Sequence, residues 1–112
     1  MLIDTFAKGD NLVVKVRGEL DLLTAETFRN IVEKDLLKNK SLNLILDLDK
    51  VTFIDSSGLG VILGRYRRIR EQGGKMAITG AKPHVLRILE LAGIIKIVNL
   101  YENTEEALEG VR

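Results

Sequence analysis

The chain of 112 residues contains no cysteine and no tryptophan, and only one proline and one histidine. Without cysteine there is no disulfide and no thiolate metal site, which suits a reducing compartment. The single histidine, His84, has no second imidazole or thiol to join it, so neither a metal cluster nor a catalytic triad is recognisable. Aromatic residues make up only 4% of the chain, so aliphatic side chains must fill its core. Neither sign of charge dominates: 17 basic residues stand against 16 acidic ones. That balance argues against direct nucleic-acid binding, which usually shows as a strong basic excess. No apolar run nears the roughly 18 residues of a membrane span. The start "MLIDTFAKGD" has neither the basic nor the apolar region of a signal peptide. These exclusions leave a soluble, cytoplasmic single domain over residues 1–112, with no membrane partner and no cofactor expected.

What is present is aliphatic and strongly patterned. Apolar residues are 46% of the chain, enough for one packed core. "LIDTF" and "NLVVKVRG" are short β-prone runs joined by the turn cluster "AKGDN", which predicts a hairpin. Phe28, Ile31, Val32 and Leu36 then recur at helical spacing, with Thr24 as the expected N-cap. "SLNLILDLD" alternates, with Leu42, Leu44, Leu46 and Leu48 on one face. A second helix follows Asp55 and stops at Gly73-Gly74. "KMAITGA" predicts a strand, Pro83 opens a third helix, "IIKIVNL" predicts a strand, and Asn103 with Glu106 caps a terminal helix. Strands alternating with helices imply parallel pairing. The expected fold is α/β: a mixed, mostly parallel sheet of about five strands with helices largely on one face.

The second helix raises the functional question. Leu59, Ile62, Leu63, Tyr66, Ile69 and Arg70 share its expected core face. Gly60, Val61, Gly64, Arg67 and Arg68 fall on or near the opposite side. Each helix-interior glycine costs about 1 kcal/mol relative to alanine. Core packing does not account for two glycines facing outward. Either a neighbouring loop approaches them, or they leave a low strip on which another protein lies. "DSSG", Asp55 to Gly58, sits between strand and helix, where a serine commonly serves as cap. A phosphoryl group there is compatible with the positive helix end and changes what the surface presents.

Other motifs are weaker. "RYRRIR" reads as a solvated basic face. "GLGVILG" departs from the dinucleotide fingerprint, because Leu63 occupies the third glycine place and Gly64 comes one residue late. A nucleotide-binding α/β domain is kept as the alternative reading. "GELD" ends a strand, and Glu19 and Asp21 fall at the same end of the sheet as Ser56. No clustered acid, base and nucleophile points to an enzyme.

Taken together, "GELD", "DLDKVTFIDSSGLGVILGRYRRIREQGG" and "LAGIIKIV" resemble the STAS domain of bacterial anti-anti-sigma factors, most of all its sporulation sigma-F branch. The resemblance covers nearly the whole chain, and the "DSSGLGVILGRY" run is its most specific part. It implies a regulatory binding protein whose free form binds an anti-sigma factor that is also a serine kinase, thereby freeing the sigma factor. The kinase would use ATP to phosphorylate the first serine after the motif aspartate, which is Ser56 here, and a serine phosphatase would restore the free form. Together with the outward side of the second helix, the expected contact surface includes Asp21, Glu19, Asp55, Ser57, Gly58, Gly60, Val61, Gly64 and Arg68. A stress-response antagonist of the same family is the nearest alternative.

Overall fold

The computed structural model describes residues 1–111. Two strands, β1 (Leu2–Lys8) and β2 (Asn11–Leu20), form the expected antiparallel hairpin, with Leu2 opposite Arg17 and Lys8 opposite Asn11. The chain then alternates: α1 (Ala25–Asn39), β3 (Asn43–Ile54), α2 (Ser56–Glu71), β4 (Met76–Thr79), α3 (Pro83–Leu91), β5 (Asn99–Tyr101) and α4 (Thr104–Gly110). The sheet order is β1-β2-β3-β4-β5, and every pair after the hairpin is parallel. This is the mixed, mostly parallel five-stranded sheet that the pattern of runs predicts.

The alternation of β3 explains the layering. Leu44, Leu46 and Leu48 pack with Leu12, Val14 and Val16 of β2 beneath α1, α2 and α3. Phe28, Val32 and Leu36 bring α1 onto that layer, as their spacing predicts. Three helices therefore cover one face. The other face is not simply wet: Val13, Ile45 and Ala77 carry α4 through Ala107 and Val111. Beyond α4 that face turns polar, with Lys15 paired in register with Asp47. Leu42 precedes the strand and is partly exposed, so it leaves the predicted apolar row.

Two further local expectations need correction. "IIKIVNL" is not one strand: Ile94–Lys96 form a 3₁₀ turn and only Asn99–Tyr101 pair in the sheet. The turn buries Ile94 in the core, a demand that short apolar runs do not reveal. Thr24 stands at the N-cap of α1, but its hydroxyl caps nothing there. It donates instead to the Glu19 carbonyl, 2.9 Å away, inside the preceding turn. The remaining boundaries hold. Pro83 opens α3, the Asn103 side chain accepts the Glu106 N–H at 2.9 Å, and α2 ends before Gly73, whose φ of 80° suits glycine.

Candidate functional site: the junction of β2, β3 and α2

Parallel pairing places the ends of β2 and β3 side by side, with Leu20 opposite Ile54. Glu19, Asp21 and Ser56 consequently share one end of the sheet. Asp55 fastens the junction. Its carboxylate accepts the Gly58 N–H at 3.0 Å through one oxygen and the Leu22 N–H at 3.1 Å through the other. The first bond caps α2, and the second ties down the turn that leads into α1. The Gly58 N–H above all, helped by the Leu22 N–H and other backbone N–H groups, holds the Asp55 carboxyl below its ordinary pKa, against an opposing effect of burial. The N-cap is thus Asp55. Ser56, the expected cap, is the first helical residue, with its side chain exposed. An aspartate caps as well as a serine, and here it serves two donors at once.

Apart from the Leu22 N–H held by Asp55, the turn from Asp21 to Thr24 satisfies its own backbone N–H groups. Asp21 Oδ1 accepts the N–H groups of Leu23 at 3.0 Å and Thr24 at 3.2 Å. Thr24 Oγ1 accepts the Asp21 N–H at 2.9 Å. The Asp21 carboxylate, expected to face a partner, is therefore engaged in shaping its own turn. Glu19 is the exposed acid of the pair. Sequence reasoning missed this locking; the Asp-x-x-Thr spacing was its available signal.

The glycines divide into two kinds. Gly58 is buried, and a Cβ on it would overlap the Leu20 carbonyl oxygen. Contrary to its expected place on a partner-facing surface, it is enclosed, because the start of α2 lies directly on the backbone of β2. Gly60 and Gly64 face open space: a Cβ on either would meet nothing within 4 Å. Among the described residues no atom approaches that space, so the outward side of α2 is low at both glycines. Val61 beside them is half-buried against the core edge rather than free. Ser57 is also half-buried.

The phase of α2 differs from expectation on its basic side. Arg65 is only 8% exposed, whereas Arg70, assigned to the core face, is in solvent. The buried stripe is Gly58, Ile62, Arg65 and Ile69. Arg65 lies in the seam with α1, its Nε 3.1 Å from Glu33 Oε1, and Arg68 reaches the other oxygen of Glu33 at 3.5 Å. Burial lowers the pKa of Arg65, Glu33 opposes this, and Arg29 and Arg68 add to it. "RYRRIR" is therefore not a uniformly solvated face, and Arg68 is half-buried and held toward α1. The exposed His84 is likewise engaged, its Nε2 donating to the Thr52 carbonyl at 2.8 Å.

At the α2 glycines, the Gly58 N–H is already taken by Asp55, and its Cα packs on the Leu20 carbonyl. A concavity of about 500 Å³ lies instead at the ends of β4 and β5, lined by Ile78, Lys82, Leu86, Leu100 and Glu102 among others. Among the described residues, no group of three His, Asp or Glu side chains could hold a metal ion, and no helix is long and apolar enough to cross a membrane.

Known proteins share this organisation. The chain is 40% identical over 97 residues to the anti-sigma F factor antagonist of Paenibacillus polymyxa, covering 87% of this chain and 83% of that one. It is 29% identical over 101 residues to an anti-sigma-B factor antagonist of Listeria monocytogenes, covering 90% and 87%. A crystal structure of a candidate anti-sigma factor antagonist from Thermotoga maritima superposes with a TM-score of 0.91 at 30% identity, covering 98% of this chain and 94% of that one. The sequence pattern of the STAS domain matches residues 3–107, and the chain belongs to the STAS domain family.

Proposed function

We propose that this protein is a phosphorylation-regulated anti-anti-sigma factor. Unphosphorylated, it binds an anti-sigma factor that is also a serine kinase, and so frees the sigma factor. Transfer of the γ-phosphoryl group of ATP to Ser56 Oγ, with release of ADP, ends the interaction. A phosphatase reverses it. The observation that carries this reading is the placement of Ser56. Its side chain is exposed at the first position of a helix with no acidic residue in its first turn, at the end of the sheet shared by Glu19 and Asp21. The likeness to a sigma-F antagonist favours the sporulation branch over the stress-response branch, since the sigma-B relative is less similar.

The geometry accounts for a switch without unfolding. A phosphate at a helix N-terminus is favourable by roughly 0.3–1 kcal/mol. Here it would also sit beside the ionised Asp55, which offsets part of that gain. Taking a partner surface from bound to free needs about 5.5 kcal/mol of differential affinity. Desolvating a dianion against a surface shaped for a hydroxyl supplies a term of that order. The deciding experiment incubates the chain with the anti-sigma F factor of its own genome and ATP, followed by intact mass and peptide mapping. One phosphoryl group is expected on wild type and Ser57→Ala, and none on Ser56→Ala. Full labelling of Ser56→Ala refutes the site.

A further inference from the structure

Leu22 and Leu23 stand next to each other in the turn between β2 and α1, and their side chains are 74% and 88% exposed. Single exposed leucines are ordinary on protein surfaces. These two are not on a loose loop. Five consecutive N–H groups, from Asp21 to Ala25, all have acceptors. Asp21 N–H donates to Thr24 Oγ1, Leu22 N–H to Asp55 Oδ2, Leu23 N–H to Asp21 Oδ1, and those of Thr24 and Ala25 to the Asp21 carbonyl at 3.1 and 2.8 Å. The backbone is held in one shape, and that shape sends both apolar side chains into water. Such an arrangement lowers the ordering cost of binding, because little of the turn remains to be frozen.

The pair also belongs electrostatically and mechanically to the Ser56 site. The same Asp55 carboxylate that caps the helix bearing Ser56 holds the Leu22 backbone. Glu19, Asp21 and Glu26 lie within or next to the turn along the chain and Asp55 is bonded to it, so four acids adjoin it, and Glu26 makes a loose 3.8 Å contact to Arg29. An apolar knob with an acidic rim is complementary to an apolar recess with a basic rim.

We propose that Leu22 and Leu23 are the apolar anchor of the interaction, seated in a recess of the anti-sigma factor bordered by lysine or arginine. The inference rests on the binding function proposed above and adds the energetic centre of that contact. The phosphorylatable hydroxyl and the anchor then lie on one rigid unit. A phosphate at Ser56 need not move the leucines to release the partner; it need only keep the recess from closing over them.

The test is a calorimetric titration of the anti-sigma F factor of the same genome into wild type, Leu22→Ser, Leu23→Ser, the double variant and a Leu91→Ser control. Leu91 is 75% exposed at the end of α3, which returns to the opposite end of the sheet. Each anchor substitution is expected to weaken binding roughly ten- to a hundredfold, the effect of removing one well-buried aliphatic contact. The control should bind as wild type. All variants should melt with wild type, since neither leucine belongs to the core; a much lower melting temperature would make them part of the fold and overturn the proposal. Equal binding by wild type and the double variant overturns the anchor while leaving the function intact. Failure of wild type to bind overturns the function as well. Sedimentation showing a wild-type dimer that the double variant dissolves assigns the pair to a second copy, and likewise overturns it.

Discussion

Gly58 lies so close to the Leu20 carbonyl oxygen that a Cβ on it would overlap that atom. The neighbour is backbone in the middle of the β2–β3 junction, so it cannot swing aside as a side chain could. Gly58→Ala is expected to destabilise the domain by about 1–3 kcal/mol, as overpacking of a well-filled site does. It should also weaken partner binding, because the displaced helix start carries Ser56 and Asp55. Urea unfolding beside a binding titration checks both effects. Unchanged stability would mean that α2 can lift from Leu20 at no cost.

Gly60→Ala and Gly64→Ala should do the opposite. Neither new methyl group meets another atom within 4 Å. Each substitution is expected to stabilise the domain by roughly 0.5–1 kcal/mol, through helix propensity and a less flexible unfolded chain. Gly64→Leu should still fold. If the strip is a docking surface, Gly64→Leu should bind the anti-sigma factor poorly, whereas undiminished binding would free these glycines of that role.

The contrast among these glycines marks what was legible in the sequence. The order of elements, the hairpin, the parallel sheet and the layer of helices follow from runs and periods that any observer can count. The outward Gly60 and Gly64 follow from the helical wheel. The wheel leaves Gly58 off that outward side but not its reason, because the carbonyl it packs on, that of Leu20, lies 38 residues earlier in the chain. Arg65 was misplaced for a similar reason. Its burial depends on Glu33 waiting across the seam, while the wheel of α2 alone sees only an arginine. The cap of α2 was shifted by one residue, since aspartate and serine are equally suitable there and the structure gives the Gly58 N–H to Asp55, which holds Leu22 as well. Local chemistry could be read from local sequence. Chemistry shared between distant segments could not.

The seam itself makes a prediction. Arg65 is buried in the seam, with its Nε against Glu33. Arg65→Ala removes that packing and leaves Glu33 without its closer partner. Because Glu33 keeps some access to water and a longer contact to Arg68, the cost is expected to be about 1–3 kcal/mol, less than for a fully buried pair. Arg65→Met should recover much of the loss by restoring the stem. If Ala and Met behave alike, the charge and not the packing holds α1 to α2. Chemical denaturation of the two variants separates these outcomes.

The last prediction concerns the two bonds of Asp55. Its carboxyl is held below the ordinary value of 3.8, first by the Gly58 N–H and then, among others, by the Leu22 N–H. A carboxyl with a depressed native pKa stabilises the fold fully above its unfolded pKa, and loses that contribution as pH falls through the native value. Asp55→Ala should therefore melt below wild type at neutral pH, with the gap closing in acid below pH 3.8. Asp55→Asn separates the two bonds. Asparagine caps helices well and can still accept the Gly58 N–H through its single carbonyl oxygen. It has no second acceptor for Leu22. The Asn variant should accordingly keep more stability than the Ala variant yet release the turn from 21 to 24. Faster amide exchange is expected at Leu22 and Leu23, together with weaker binding to the anti-sigma factor. An Asn variant that exchanges and binds as wild type would show that the turn holds its shape without Asp55, and that the link between the helix cap and the contact surface carries no function.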